Sequence, residues 1–427
     1  MKVLWLTPTP SLAEHHLSNK PVNGGWIKSL EKGIQERVDL SVTFYHWEEV
    51  APFTFGKTRY FPINVYRKGK WSKIKSRISN SLESQRDIDR FLAVIAEVKP
   101  DIIHIHGTEG PFGLIQQHTD IPCVVSFQGC INVILYRYFS GITYFNTFCY
   151  SRLKNWLFFR TYLHTYWAYI KTAKREKAIF KYSKNIIGRT AWDKRVSKVL
   201  APMARYFHND EILRDSFYTN RWQQQLKGAI KLFTTTGPGL YKGLETILYS
   251  AYLLEQQGVD FQLEIAGVRA DDEIAMLATK SAGVPLSTKV HFTGILNETE
   301  LVNKLLQTHL YLSCSHIENS PNSLCEAQIL GVPCIATNAG GTASLMEDGK
   351  EGLLIQDGDP YALAGAILEL VEDYDRARWM GANGRKRALD RHDPEKIVND
   401  LLSIYQKIKE PQEAINTLEA AYDAKRV

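Results

Sequence analysis

Short apolar runs of strand length alternate with amphipathic runs of helix length along most of this 427-residue chain, and that alternation limits the possible folds more than any other feature. Residues 3–6 and 40–45 read as strands on either side of a helix carrying Ile27, Leu30 and Ile34. Residues 88–98 read as the next helix, ending before Pro100, and 101–107 (DIIHIHG) as a strand that finishes in histidine. Strands at 123–127 and 185–188 continue the series. The pattern then restarts, with strands at 231–235, 261–266, 290–293, 310–312 and 334–337 separated by helices. One of those helices is opened by Asn297 with Glu300 three residues on, a capping box. Alternation of this kind predicts parallel, doubly wound α/β sheets, because each crossover helix covers a sheet face.

Two such series in a chain too long for one core predict two domains. The expected division is 1–221 and 222–393, with the polar, Gln-rich stretch 222–227 as linker. Helices expected within 394–427 pack back on the first domain. Residues 57–84 are polar and basic, with one short extended piece at 61–66.

Composition narrows the class. Hydrophobic content of 44% and charged content of 23% belong to a globular protein. No run approaches the ~18 apolar residues of a membrane span. MKVLWLTPTP meets Pro8 too early for a signal peptide, so it reads as a first strand and the chain as cytoplasmic. The six cysteines have no CxxC or CxxH spacing, so neither a zinc site nor a disulfide framework is predicted. The formal charge is +6, yet residues 130–184 hold ten Lys/Arg against Glu176 alone, a local +9, which leaves −3 for the rest. The same window holds 16 of the aromatic residues (9 Trp, 21 Tyr and 18 Phe in the whole chain). Interleaved basic and aromatic residues suit internal packing, an anionic membrane surface or nucleic acid.

The stretch 315–341, SHIENSPNSLCEAQILGVPCIATNAGG, carries the most chemistry. It follows a strand, breaks at Pro321 and turns helical with Leu324, Ala327 and Leu330 on one face. Asn322 or Ser323 is expected to cap the helix and Gly331-Val332-Pro333 to end it. The amides of Asn322, Ser323 and Leu324 would point past the strand's carboxyl end, where open α/β sheets bind ligands. Glu318 in the loop and Glu326 about one turn inside the helix can face one ligand, and carboxylates there suit the hydroxyls of a sugar or ribose. Gly24-Gly25, His106 and Lys242 occupy corresponding strand ends. A cation and two helix N-termini suit a phosphate-bearing ligand. On these residues alone, a capped and solvated helix for the two acids and a satisfied core histidine for His106 stay open. Asp357-Gly358-Asp359 looks like a metal-binding pair but precedes Pro360, so a turn and helix cap are expected and no metal. Arg189 and Arg214 are further candidate anion contacts.

Taken in order, these residues resemble a known family. Glu318 and Glu326 with Ala327, Gly331-x-Pro333, Asn338-Ala339-Gly340-Gly341, and Asp348-Gly349 followed by Gly352-Leu353-Leu354 look like the carboxyl domain of family 4 glycosyltransferases. Lys242-Gly243 matches that family's Lys-Gly, Gly24-Gly25 its amino-terminal glycine pair, and the strand ending at His106 its D-x-x-H-x-H strand. The resemblance is strongest in 234–354 and weakest in 57–84 and the aromatic window. It implies the GT-B fold, two Rossmann-like domains facing across a cleft, with the acceptor side in 1–221 and the nucleotide-sugar side in 222–393. It also implies retaining transfer of a sugar from a UDP- or GDP-linked donor to a hydroxyl on a surface polysaccharide or its lipid-linked precursor. No metal or other cofactor is then expected. In that reading Glu326 binds ribose, Glu318 lies beside the transferred sugar and His106 reaches it. Lys242 and the amides of Asn322, Ser323 and Leu324 hold the diphosphate, and Gly24 and Gly25 let backbone approach it. Such chemistry favours an anionic, cytoplasmic membrane face over nucleic acid as the partner of 130–184. A similar epimerase, or a binding-only relative, are the alternatives. The chain departs from the family pattern at Gly237, usually Arg, at Ser344, commonly an acid, and at Gln128, often His.

Overall fold

The computed structural model describes residues 1–17, 25–64 and 85–409. Gly24, the end of the extended piece expected at 61–66 and the tail from 410, expected to add a helix, lie outside the described residues.

Two sheets carry the fold. The first has eight strands: β1 (Lys2–Thr7), β2 (Asp39–His46), β3 (Phe53–Phe55), β4 (Thr58–Asn64), β5 (Ile102–His106), β6 (Cys123–Ser126), β7 (Asn185–Gly188) and β8 (Arg205–His208). Their order is β3-β4-β2-β1-β5-β6-β7-β8, and only the β3–β4 hairpin is antiparallel. The second has six parallel strands: β9 (Ile230–Thr235), β10 (Phe261–Ala266), β11 (Val290–Gly294), β12 (Leu310–Ser313), β13 (Cys334–Thr337) and β14 (Leu353–Ile355), in the order β11-β10-β9-β12-β13-β14. Every residue of β5 and β13 is buried, as strands covered on both faces must be. The doubly wound architecture is the expected one. Strands β3, β8 and β14 went unforeseen; each is three or four residues long at a sheet edge, too short to show a period.

The helices that matter to the site are, in chain order, α1 (Gly25–Ile34), α2 (Gln85–Val98), α3 (Ile131–Arg137), α4 (Tyr144–Tyr150), α5 (Leu153–Leu157), α6 (Tyr162–Tyr182), α7 (Ala191–Leu200), α8 (Leu244–Gln256), α9 (Glu273–Ala282), α10 (Glu298–Gln307), α11 (Asn322–Leu330), α12 (Pro360–Glu372), α13 (Tyr374–Arg391) and α14 (Pro394–Lys409). The basic aromatic window forms α3 to α6, inserted between β6 and β7. Helix α14 leaves the second sheet and buries Ile397, Val398, Leu401, Ile404 and Tyr405 with Val3, Trp5 and Ile34 of the first sheet's core. At its centre the Tyr405 hydroxyl accepts from Trp5 Nε1 (3.0 Å) and contacts His104 Nδ1 (2.6 Å).

Trp222, read from sequence as the start of a linker, is instead embedded in the second sheet's core. Its amide donates to the Leu330 carbonyl (2.8 Å) and its indole to that of Thr308 (2.7 Å). Polar neighbours in the sequence disguised one large buried ring.

In each sheet the strand order reverses once, between β1 and β5 and between β9 and β12. A crevice opens at the carboxyl ends of the strands flanking such a reversal. Gly25 follows β1, His106 ends β5, Lys242 follows β9 and Glu318 follows β12. The topology alone therefore sends four of the expected site residues to two crevices.

Candidate functional site

A cavity of about 1090 Å³ opens between the two sheets, with Gly25, Trp26, Lys28, Arg214, Asn322 and Glu326 in its walls and residues 295–300 closing one side. Three expected site residues, Gly25, Asn322 and Glu326, thus meet in one space. Glu326 is buried one turn inside α11 and accepts from Arg214 Nε (2.9 Å) and Nη2 (2.7 Å). Burial pushes its carboxyl up, and the Arg214 guanidinium only partly offsets that. Arg214 lies on the crossing between the sheets and packs its stem beside Gly25, where an added Cβ would come within 3.1 Å. It does touch the site, but its partner there is a carboxylate. No local motif announces that pairing, which joins residues 112 apart in the chain.

The start of α11 differs in detail from expectation. Asn322 is the first helical residue, Pro321 precedes it, and no side chain caps the helix. Leu324 is buried and its amide donates to the Pro321 carbonyl (3.1 Å), so it cannot serve a ligand. Ser323 turns its hydroxyl to Tyr311. The amides of Asn322 and Ser323 are the first-turn donors that can point outward.

Lys242 and Glu318 form an ion pair beside this cavity without lining it. Ser315 Oγ donates to Glu318 Oε1 (2.9 Å), which fixes the carboxylate from the strand side. Two glycines set this geometry. Gly243 has φ +71°, and a Cβ there would lie 1.8 Å from the Cys314 carbonyl oxygen, so the Lys242 turn can press against the end of β12 only without a side chain. Gly340 has φ +59° and a Cβ position 1.9 Å from the Glu318 carbonyl oxygen, which in turn accepts from the Gly341 amide (2.8 Å). The Asn-Ala-Gly-Gly motif is thus the backing of the Glu318 loop.

His106 is placed elsewhere. It is 2% exposed, stacked on His104 (3.9 Å between ring centroids) and edge-on to Trp5 (4.6 Å), and it is not among the cavity's lining residues. Neither ring nitrogen has a partner among the described residues, and burial holds the imidazole neutral. Trp26 packs on it at 5.6 Å and presents the wall in its stead. His104 is a satisfied core histidine, bonded to Tyr405 and to Ser126 Oγ (2.6 Å). The strand-end acid that sequence reasoning passed over is Glu109, three residues beyond His106. Its carboxylate lies over Gly107 and Gly129, where an added Cβ would approach it to 2.5 and 2.8 Å. Solvent reaches Glu109, yet walls on several sides enclose it; that burial, with Glu176 nearby, pushes its carboxyl up to about 7.

The remaining candidates are structural. Arg189 forms a buried ion pair with Glu211 and donates to the carbonyls of Phe127 and Gln128 (both 3.2 Å). Asp359 caps α12 by accepting from the Ala362 amide (2.9 Å), in line with the turn-and-cap reading. Asp357 pairs with Arg137 from the inserted helices and with His316 Nδ1 (3.2 Å), whose Nε2 faces Glu245 (2.8 Å).

Residues 219–387 match the family described as Glycosyl transferases group 1. This segment is a group 1 glycosyl transferase domain. It begins in the crossing after β8 and covers the second sheet, α11 and most of α13. Among known relatives, the capsular polysaccharide biosynthesis glycosyltransferase CapM of Staphylococcus aureus is 25% identical over 169 residues, 38% of this chain and 42% of that protein. The N-acetyl-alpha-D-glucosaminyl L-malate synthase of Bacillus anthracis is 30% identical over 123 residues, 29% of this chain and 32% of that one. The chain thus matches less than half the length of these relatives. Among solved structures, sucrose-phosphate synthase from Thermosynechococcus elongatus aligns over 95% of this chain and 98% of its own, with a TM-score of 0.70 and 14% identity. Anabaena HepE in complex with UDP-glucose aligns over 95% and 100%, with a TM-score of 0.61 and 14% identity. These likenesses show the fold, which is GT-B: the group 1 domain and the β1–β8 domain facing across the cleft.

Proposed function

We propose that this protein is a glycosyltransferase that moves a hexosyl group from a nucleoside diphosphate donor, UDP- or GDP-linked, to an acceptor hydroxyl, with retention and without a metal. The observation that carries this reading is Glu326, a buried carboxylate at the N-terminal turn of α11 that opens onto a cavity with Asn322, Gly25 and Arg214. A carboxylate beside uncapped helix amides suits a ribose next to a diphosphate. Solved neighbours titled as complexes with UDP and with UDP-glucose support the donor class. Relatives named for capsular polysaccharide, colanic acid and amylovoran biosynthesis support a surface polysaccharide or its lipid-linked precursor as acceptor.

In the proposed reaction the acceptor oxygen attacks the anomeric carbon on the face from which the diphosphate departs. The carbon–phosphate-oxygen bond breaks, and the departing phosphate oxygen takes the acceptor's proton. Lys242 exchanges Glu318 for the diphosphate and, with the Asn322 and Ser323 amides, holds the charge that grows on it. Arg214 supplies a cation near the phosphates where Gly237 cannot. Glu318, released, faces the sugar hydroxyls. A lipid-linked acceptor would bring the protein to an anionic, cytoplasmic membrane face, with residues 130–184 as the contact.

A screen of UDP- and GDP-sugars by thermal shift tests the reading. The right donor at 100 times its Kd adds about 2.7 kcal/mol to the stability of the group 1 domain. No shift with any nucleotide sugar would sink the proposal. Slow hydrolysis of the stabilising donor, with release of the nucleoside diphosphate, is the expected second readout.

A further inference from the structure

Twelve of the 22 large apolar side chains exposed among the described residues fall between Tyr136 and Tyr182, a segment of one-eighth of the chain or less. They are densest on the α4–α5 hairpin. Phe145 and Phe148 stand three apart on α4 and are 70% and 54% exposed. Leu153 and Leu157 stand four apart on α5 and are 75% and 67% exposed, and Phe158 follows at 51%. Those spacings put the apolar groups on one outer face of each short helix. The inner faces are committed. Asn146 donates to Ser281 Oγ (3.0 Å), the Arg152 amide donates to Glu273 Oε1 (2.9 Å), and Asn155 also bonds Glu273, all on or capping α9 of the group 1 domain. Phe148 meets Trp156 edge-on at 5.4 Å, which ties α4 to α5. Just beyond, Phe159 holds φ +52°, a conformation in which a bulky residue costs roughly 1–2 kcal/mol and a glycine nothing. The hairpin is therefore fastened to α9 on its inner side and displays Phe145, Phe148, Leu153 and Leu157 on its outer side.

We infer that the outer face of the α4–α5 hairpin is an interfacial anchor for an anionic lipid bilayer. The inference rests on the lipid-linked acceptor proposed above and names the surface that meets the lipid. Charge selects this occupant. The window carries +9 while the rest of the chain carries −3, and Lys154 and Arg160 lie among the exposed apolar groups. A second copy of the chain would bring the exposed Lys154, Arg160, Lys174, Lys177 and Lys181 against their own like, whereas anionic headgroups contribute about 1 kcal/mol for each nearby Lys or Arg. Aromatic rings beside basic side chains suit the headgroup level of a bilayer. Among the described residues no helix is long and apolar enough to cross a membrane, so binding is a matter of surface insertion. Position agrees: the insert leaves the first sheet at the carboxyl end of β6, on the rim of the cleft, and Arg137 of α3 reaches across it to Asp357. An acceptor sugar carried on a lipid headgroup would thus arrive beside the cavity.

Full-length protein is sedimented with phosphatidylcholine vesicles, with and without phosphatidylglycerol, at low and high salt. Binding is expected only with phosphatidylglycerol and is expected to weaken as salt rises. The quadruple variant Phe145→Ser, Phe148→Ser, Leu153→Ser, Leu157→Ser should bind at least about 100-fold more weakly, since each buried apolar side chain is worth roughly tenfold or more. Its thermal shift with the nucleotide sugar should be unchanged, which separates this result from failure of the proposed function and from misfolding. Unchanged vesicle binding by the variant overturns the inference. So does a wild-type dimer in sedimentation equilibrium that the variant abolishes, or salt-sensitive RNA binding in place of vesicle binding.

Discussion

At the scale of single residues, the site is built from charges that already have partners. Lys242 is held by Glu318, and Glu326 by Arg214, so under the proposed function a donor would exchange partners as it binds. That arrangement keeps each charge satisfied at little cost in stability and aims it at the crevice. Replacing Lys242 with Ala should reduce transfer about 10²–10³-fold, the usual loss for one preorganised charge stabiliser, while thermal stability changes little, because Glu318 keeps Ser315 Oγ. Near-normal turnover in the variant would show that Lys242 has no part in the transition state. Glu109 permits a pH prediction. Its carboxyl holds a proton up to about pH 7 in the folded protein but releases it near 4.5 when unfolded, so the folded state binds more protons in between. The stability it contributes is complete below about pH 4.5 and is lost as pH rises through 7. The groups that face it are Glu176, Arg189, Tyr169 and Tyr241, of which Arg189 pulls the carboxyl back down. Glu109→Gln should flatten that part of the melting temperature against pH curve; an unchanged slope would refute the shifted titration.

At the scale of elements, what the sequence made legible was what periodicity and motif order can carry. Strands β5, β9, β10, β12 and β13 and helix α11 stand within a residue or two of expectation, because apolar runs and glycine stops are local signals. The placement of His106 was not legible. An alternating strand says that its side chain shares a face with His104, but only the packed structure sets Trp26 beside it. The Arg214–Glu326 contact was hidden for the same reason, since a pairing across 112 residues leaves no spacing to read. The glycine pair at 340–341 was recognised as a motif, and its physical cause is contact with the Glu318 loop. Gly340→Ala would force a Cβ against the Glu318 carbonyl oxygen at a left-handed φ, so it should cost roughly 1–3 kcal/mol. It should also weaken nucleotide-sugar binding more than a remote substitution of equal stability cost. Helix α14 makes the matching case in the other domain. Tyr405→Phe removes the acceptor of Trp5 Nε1 and the partner of His104 while leaving the ring in place. About 1–3 kcal/mol should be lost from the β1–β8 domain for the buried groups left unpaired, with donor affinity intact. Differential scanning calorimetry with and without nucleotide distinguishes the two variants.

At the scale of the whole molecule, the insert of the first domain buries Tyr138 and Ile142 in the second sheet's core and bonds α9 through Asn146 and Asn155, and further polar contacts link the domains at three places. On the insert side Arg137 donates to the His316 carbonyl (3.4 Å) and pairs with Asp357. In the middle, the Ala191 amide donates to Ser344 Oγ (3.1 Å) and Asn319 to Asp193 (3.4 Å). The third contact is Arg391, near the end of α13, which bonds the Asp210 carboxylate (2.6 Å), the Arg189 carbonyl (2.7 Å) and the Ser344 carbonyl (3.1 Å). Its location gives it a different weight from the others. The Arg137 and Asp357 side chains are 40% and 22% exposed, so that pair contributes on the order of 0–1 kcal/mol and tolerates opening. The Arg391 and Asp210 side chains are 12% and 13% exposed, and removing one partner of such a pair costs roughly 3–5 kcal/mol because the other charge stays buried. Arg391 should therefore contribute more to holding the domains together than the Arg137 pair does. Lysine cannot replace it, since a single ammonium does not span the acceptors of the planar guanidinium, whose Nη2 reaches the Asp210 carboxylate and the Arg189 carbonyl while Nη1 reaches the Ser344 carbonyl. Arg137→Ala should leave the melting profile nearly unchanged, because so exposed a pair contributes little and the insert keeps its apolar contacts with the second sheet's core. Arg391→Ala and Arg391→Lys should both move the unfolding of the two domains apart in calorimetry, with the earlier transition shifted down by several degrees. If Arg391→Ala melts as the wild type does while Arg137→Ala splits the transition, the polar contact that matters is the one at the insert instead.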